Sequence, residues 1–136
     1  KKRPLKAEFY HSFDKNTGFS DAQIFTSFDV ISRTIKRMDE MLQKFEGPWL
    51  MGAEYSLADI AVLPLIDRIQ DLGLDGLWQD AYPSISHWLI RAQQRPSSLK
   101  SYIIGSRLSE QFPDIVGGAG SLSDWTDTYF ERKLQV

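Results

Sequence analysis

Between Ser20 and Glu46 the apolar residues fall at Ile24, Phe28, Ile31, Ile35, Met38, Leu42 and Phe45, a strict 4-3 spacing that Phe25 and Met41 widen. Residues three and four apart share one face of an α-helix, so the pattern predicts a long amphipathic helix with its stripe against a core. Gly47 is expected to supply the left-handed residue that ends it, and Pro48 prevents continuation. A free coiled coil has a similar period, but a stripe this wide suits a helix packed in a bundle better.

From Leu57 to about Leu72 the pattern changes. Leu57, Ile60, Ala61, Val62, Leu63, Leu65, Ile66 and Ile69 leave almost no polar face in the first half, which predicts a central helix covered on all sides. Pro64 inside it deletes the N–H that would bond to the carbonyl of Ile60, so the axis is expected to bend there. Asp67 and Asp71, one turn apart, read as the solvated or Arg68-paired end of this helix, since nothing nearby marks a pocket for paired acids.

A loop from Gly73 to Tyr82 leads to Pro83, which opens a helix with Ile85, Trp88, Leu89 and Ala92 as its core stripe and Arg95-Pro96 as its end. Ser97 or Ser98 can cap a further short helix carrying Leu99, Tyr102 and Ile103. Upstream, Pro4 to Phe13 suggests a short helix with Leu5, Phe9 and Phe13 on one face and Tyr10 beside them. Downstream of Phe112-Pro113 the chain loosens into the Gly117–Ser121 linker. A last amphipathic helix follows, with Leu122, Trp125, Tyr129 and Phe130, and with Arg132 and Lys133 favourably near its C-terminus. No strand pattern of period two and no internal repeat appears. The fold class is therefore all-α, a helical bundle of about five helices. Residues 1–19 form a partial first helix and connecting loop, 20–112 the helical domain proper, and 113–136 the linker and C-terminal helix.

The junction between the two longest helices, Gly47 to Ile60, carries the densest local signals. Ser56 can be an N-cap whose hydroxyl accepts the N–H of Asp59, while the Asp59 carboxylate reaches back to the N–H of Ser56, a capping box with Asp in the place of Glu. Tyr55 and Ile60 stand at N′ and N4, where a hydrophobic staple fixes the entry angle of the chain. By itself this is a folding device without chemistry.

Composition removes several function classes. A net charge of −2, with a basic cluster only at Lys1, Lys2, Arg3 and Lys6, argues against nucleic acid as a partner. The chain has no cysteine, which excludes disulfide, thiolate and Cys-based metal chemistry and suits a reducing, cytoplasmic setting. The longest apolar run, Ile60 to Ile66, falls far short of the ~20 residues a membrane helix needs, so a membrane partner is not expected. His11 and His87 are too few and too far apart for a His-based metal motif, and His87 beside the Ile85/Trp88 stripe reads as structural. The Asp14–Gly18 loop imitates an EF-hand, but Phe25 stands where the bidentate Glu is required. Ile104-Gly105-Ser106-Arg107 lacks the second Gly of a nucleophile elbow, and Gly117–Gly120 lacks the strand and Lys of a phosphate loop. No catalytic residue and no metal site is assigned. The chain also opens without Met, in mid-pattern, and reads as a fragment of a longer protein.

Taken in order, Pro48-Trp49-Leu50-Met51-Gly52, Ser56-Leu57-Ala58-Asp59-Ile60, Pro64, Tyr82-Pro83, Trp88 and Arg95-Pro96-Ser97 resemble the all-helical C-terminal domain of the glutathione S-transferase superfamily. The close match runs from about Ile31 to Ser98. The resemblance implies that the thiol-activating residue and the glutathione site belong to an N-terminal thioredoxin-like domain absent from this sequence. Glutathione is then a co-substrate of the full-length protein and is not bound by this chain alone. The helical domain would supply the wall for a hydrophobic second substrate and part of a homodimer interface, with Ser56 and Asp59 as a structural capping box. Exposed aromatics of the first segment and tail, Tyr10, Phe13, Trp125 and Tyr129, are the substrate-binding candidates, with core packing the alternative for each. The extended start is similar to that of bacterial β-etherases and tetrachlorohydroquinone dehalogenases, which implies aryl ethers or halogenated phenols as substrates. Helical domains of this type also serve as non-catalytic assembly modules in elongation factor 1 gamma and in aminoacyl-tRNA synthetase complexes.

Overall fold

A computed structural model of the chain describes residues 19–101, 105–117 and 122–134, without the side chains of 115, 117 and 122–125. The expected helix over Pro4 to Phe13 lies outside the described residues. Those residues are all-helical: α1 (Asp21–Lys44), α2 (Leu57–Asp71), a 3-10 turn (Asp75–Leu77), α3 (Pro83–Gln93), α4 (Pro96–Ser101), α5 (Leu108–Gln111), α6 (Pro113–Gly117) and α7 (Leu122–Leu134). The chain divides into two compact units, Lys1–Ile31 and Ser32–Val136.

In the first unit, α1 begins on a reciprocal cap. The Ser20 N–H donates to the Gln23 side-chain oxygen at 2.9 Å, and the Gln23 N–H donates to Ser20 Oγ at 3.4 Å. This is a Ser-x-x-Gln capping box that satisfies two donors the helix start would otherwise leave open. Phe28 is buried on the predicted face, whereas Val30, off the stripe, is exposed.

In the second unit the stripe continues through Ile35, Met38 and Leu42, all buried. They share the core with Leu63, Ile66 and Ile69 of α2 and Ile85, Trp88, Leu89 and Ala92 of α3, the period that the sequence predicts. Each fully buried aliphatic side chain contributes roughly 1.5–3 kcal/mol relative to exposure. Helix α2 packs on α3 and α3 on α4; α5 packs on α6, α6 on α7, and α7 returns to the 3-10 turn. Two seats for this return are glycines: a Cβ at Gly73 would stand 3.2 Å from Val116, and one at Gly76 would stand 3.2 Å from Thr126. Helix α6 forms where the sequence suggests a loosening chain, opened by Pro113 at its start, and the short α5 directly precedes it.

Three expectations are corrected. Helix α2 is continuous through Pro64, but it is not covered on all sides: Leu57 is 81% exposed and Ile60 and Leu65 are each 51% exposed, with Ala61 and Pro64 also exposed between them. The left-handed residue after α1 is Glu46, at φ 50, and not Gly47. Gly47 is required for a different reason, since a Cβ there would lie 2.2 Å from the backbone carbon and oxygen of Gly52. Finally, Asp67 and Asp71 are buried rather than solvated, for the reasons given with the site below.

Candidate functional site

The close approach of Gly47 to Gly52 lets the chain fold back between α1 and α2. Trp49 and Gly52 exchange both backbone hydrogen bonds, at 3.1 and 3.0 Å, and Gly52 takes φ +112, a conformation open to glycine. This aims the N–H of Leu50 inward, where it donates to Asp59 Oδ1 at 2.9 Å. Ser56 holds an extended N-cap conformation, and both arms of the capping box are present. The arm with full hydrogen-bond geometry is the carboxylate's: Asp59 Oδ2 accepts the Ser56 N–H at 2.9 Å and its hydroxyl at 2.8 Å. Trp88 Nε1–H, from α3, completes the set by donating to Oδ1 at 2.8 Å.

Asp59 is 0% exposed, so the capping residue is also a buried carboxylate joining the turn, α2 and α3. Burial alone would raise its pKa by disfavouring the charge. The bonds from Leu50, Trp88 and Ser56 outweigh that and hold the carboxyl below its ordinary range. Tyr55, at the N′ position, sets its ring edge-on to Trp49 at 4.8 Å, with the Arg95 guanidinium 3.7 Å over its face.

A second knot of buried charge lies at the other end of α2. Asp67 Oδ1 accepts Gln93 Nε2 at 2.7 Å and Arg107 at 2.9 Å. Asp71 pairs with Arg68 at 2.7 Å, as expected, and also caps α5 by accepting the N–H groups of Leu108 and Ser109 at 2.9 and 3.3 Å and the Ser109 hydroxyl at 2.6 Å. Burial would raise the Asp71 pKa, but the Ser109 and Leu108 bonds and the charge of Arg107 bring it below the ordinary value. Buried carboxylates that accept this many bonds at fixed helix ends are positioned for cohesion.

The predicted site residues fare differently. Ser56 and Asp59 come together as expected. Tyr10 and Phe13 lie outside the described residues, as does the side chain of Trp125. Tyr129 is buried, with Phe130 edge-on at 5.4 Å and Lys133 Nζ 5.7 Å over its ring, so in this chain it packs inward, the alternative role weighed for it. Among the described residues no group of three or more His, Cys, Asp or Glu could hold a metal ion. No described helix is long and apolar enough to cross a membrane. Sequence reasoning missed Trp88 and Leu50 as partners of Asp59 and Arg107 as partner of Asp67. Local spacing holds no signal for the 29-residue step from Asp59 to Trp88 or the 40-residue step from Asp67 to Arg107.

An all-helical domain whose second long helix starts on a buried Ser-x-x-Asp capping box, after a Pro-Trp-Leu-x-Gly turn, has the organisation implied by the resemblance. Residues 4–105 match the family of the glutathione S-transferase C-terminal domain, and the chain belongs to it. Among curated relatives, glutathione S-transferase A of Pleuronectes platessa is 28% identical over 82 residues, covering 60% of this chain and 35% of that protein. The glutathione S-transferase-like protein OpS6 of Beauveria bassiana (strain ARSEF 2860) is 29% identical over 86 residues, covering 60% of this chain and 39% of that protein. The matched part thus spans little more than a third of the length of these relatives. No solved structure matches the chain.

Proposed function

We propose that this chain is the second-substrate-binding and dimerisation half of a cytoplasmic glutathione S-transferase. Its full-length form would join glutathione to an aromatic electrophile or cleave one with it. The observation that carries this reading is the apolar face of α2. Leu57, Ile60 and Leu65, with Ala61 and Pro64, recur at helical spacing over the first three turns and stay exposed in a helix anchored at its start by Asp59. A contiguous exposed aliphatic stripe on a rigid helix is the mark of a surface that another body covers. A family defined as a C-terminal domain, with relatives far longer than the match, supports a preceding thioredoxin-like domain as that body.

Glutathione enters as a co-substrate held by the preceding domain, with the helical domain lending a hydrophobic wall. Aryl ethers or halogenated phenols, the substrates of the β-etherase and dehalogenase group, are the substrate class, with Tyr10, Phe13 and Trp125 the candidates to line that wall.

The test compares the isolated chain with the full-length protein, using glutathione and a chromogenic aryl halide. Turnover is expected only from the full-length protein, and Leu57→Glu with Ile60→Glu should loosen the full-length protein while leaving the isolated chain as stable as before. Turnover by the isolated chain would refute the division of labour. A full-length protein that folds and assembles but shows no glutathione-dependent activity would point instead to a non-catalytic assembly module.

A further inference from the structure

On the opposite end of α1 from its cap, a cleft of about 210 Å³ opens between Leu42 and Gln43, the Gly47-Pro48 turn, and Ser84, His87 and Arg91 of α3. Its cationic wall is unusually well fixed. Arg91 donates from one terminal nitrogen to the carbonyl of Pro48 at 2.8 Å, and its guanidinium lies over the ring of Trp49, 5.6 Å from the centroid. Trp49 is itself buried, so the guanidinium rests on a fixed platform, and its second terminal nitrogen has no hydrogen-bond partner among the described residues.

The charge of this wall is not balanced locally. Arg95, one turn further on α3, lies over the same Trp49 ring at 5.6 Å, and neither Arg91 nor Arg95 pairs with a carboxylate among the described residues. Like charges one helical turn apart repel, and His87, one turn before Arg91, adds a ring N–H donor to the same wall. Asp39 is the carboxylate beside the cleft. It is nearly buried and occupied, with Gln43 Nε2 on Oδ2 at 2.7 Å and the Ser84 hydroxyl on Oδ1. Both Asp39 oxygens are thus occupied by side chains that line the cleft.

We propose that this cleft binds a small oxyanion, phosphate or carboxylate, between Arg91 and His87. Arg91 supplies a pre-positioned fork matched to two oxygens of such a group, and the anion relieves the repulsion along α3. The Leu42 and Pro48 floor leaves space for a short apolar body attached to it. All of the lining residues lie in the second unit.

The experiment titrates the chain with potassium phosphate and, separately, with sodium succinate, at ionic strength held constant with chloride, following amide and arginine side-chain NMR signals. Saturable shifts confined to Gly47, Ser84, His87 and Arg91 are expected, with affinity weakened about tenfold or more in Arg91→Gln, the loss of one charge-assisted contact. Stronger binding of phosphate assigns a phosphate ligand and stronger binding of succinate a carboxylate. Since Arg91→Gln also removes the bond to Pro48, His87→Gln serves as the second variant; His87 is exposed and its replacement leaves the core untouched. Shifts that never saturate, that scatter over the surface, or that are unchanged in both variants overturn the proposal.

Discussion

Replacing Asp59 by alanine tests the central structural claim. An ordinary N-cap substitution costs about 1 kcal/mol, and a capping box read from sequence alone predicts a loss of that size. The structure predicts more. The carboxylate is fully buried and accepts four hydrogen bonds, two of them from donors outside the cap: Leu50 N–H and Trp88 Nε1–H. Alanine leaves both of these donors buried and without an acceptor, at ~1–3 kcal/mol each, in addition to the lost cap. The expected destabilisation is thus about 3–7 kcal/mol, a large share of the ~5–15 kcal/mol that holds a domain folded. Ser56→Ala removes only one donor and leaves the Asp59 bonds to Leu50, Trp88 and the Ser56 N–H in place, so it should cost about 1 kcal/mol. Urea unfolding followed by tryptophan fluorescence and far-ultraviolet circular dichroism measures both. Trp88 fluorescence in Asp59→Ala should also change in the native baseline, because its indole N–H loses its acceptor. Equal losses for the two variants would show that the cap acts alone and that the links to Leu50 and Trp88 contribute nothing.

Two other outcomes follow from the same geometry. Asp59 and Asp71 have folded pKa values below the ordinary carboxylate value of ~3.9, so the stability they contribute is present above that pH and is lost as pH falls through their folded values. Acid unfolding of the wild-type chain should therefore steepen below about pH 4, and Asp71→Asn should flatten that dependence while lowering stability near neutrality; an unchanged acid limb would show that Asp71 titrates normally in the fold. At the turn, Gly47→Ala should destabilise by more than about 2 kcal/mol, since its Cβ would meet backbone rather than a movable side chain, and the melting temperature reports it. A neutral effect there would mean that the Gly47–Gly52 approach is looser than described.

How much of this was legible in the sequence depended on the distance over which each contact acts. Stripe positions such as Ile35, Met38, Ile85 and Trp88 were readable because burial repeats with the helix. The cap was readable because Ser56 and Asp59 are three residues apart. Gly47 was recognised as a stop, but the residue taking positive φ is its neighbour Glu46; the need for glycine arises from Gly52 crossing it, which local propensity does not encode. Asp67 and Asp71 read as a solvated or Arg68-paired helix end; the Arg68 pair with Asp71 was legible at i, i+3, while the burial was not, because Gln93, Arg107, Leu108 and Ser109 come from later segments.

The face of α2 shows the converse limit. Leu57, Ile60 and Leu65 read as core because hydrophobicity marks what will be covered without saying by what. Among the described residues the three side chains are well exposed, yet they belong to a helix tied at both ends, through Asp59 and through Asp71. Anchoring at both ends keeps an exposed apolar stripe in one conformation, so a covering surface can dock on it without the cost of ordering it first. The capping box therefore does more than start a helix: by joining α2 to the turn and to Trp88 it fixes the orientation of the stripe. Asp59→Ala should then weaken the association of this domain with whatever covers α2 even where the domain remains folded.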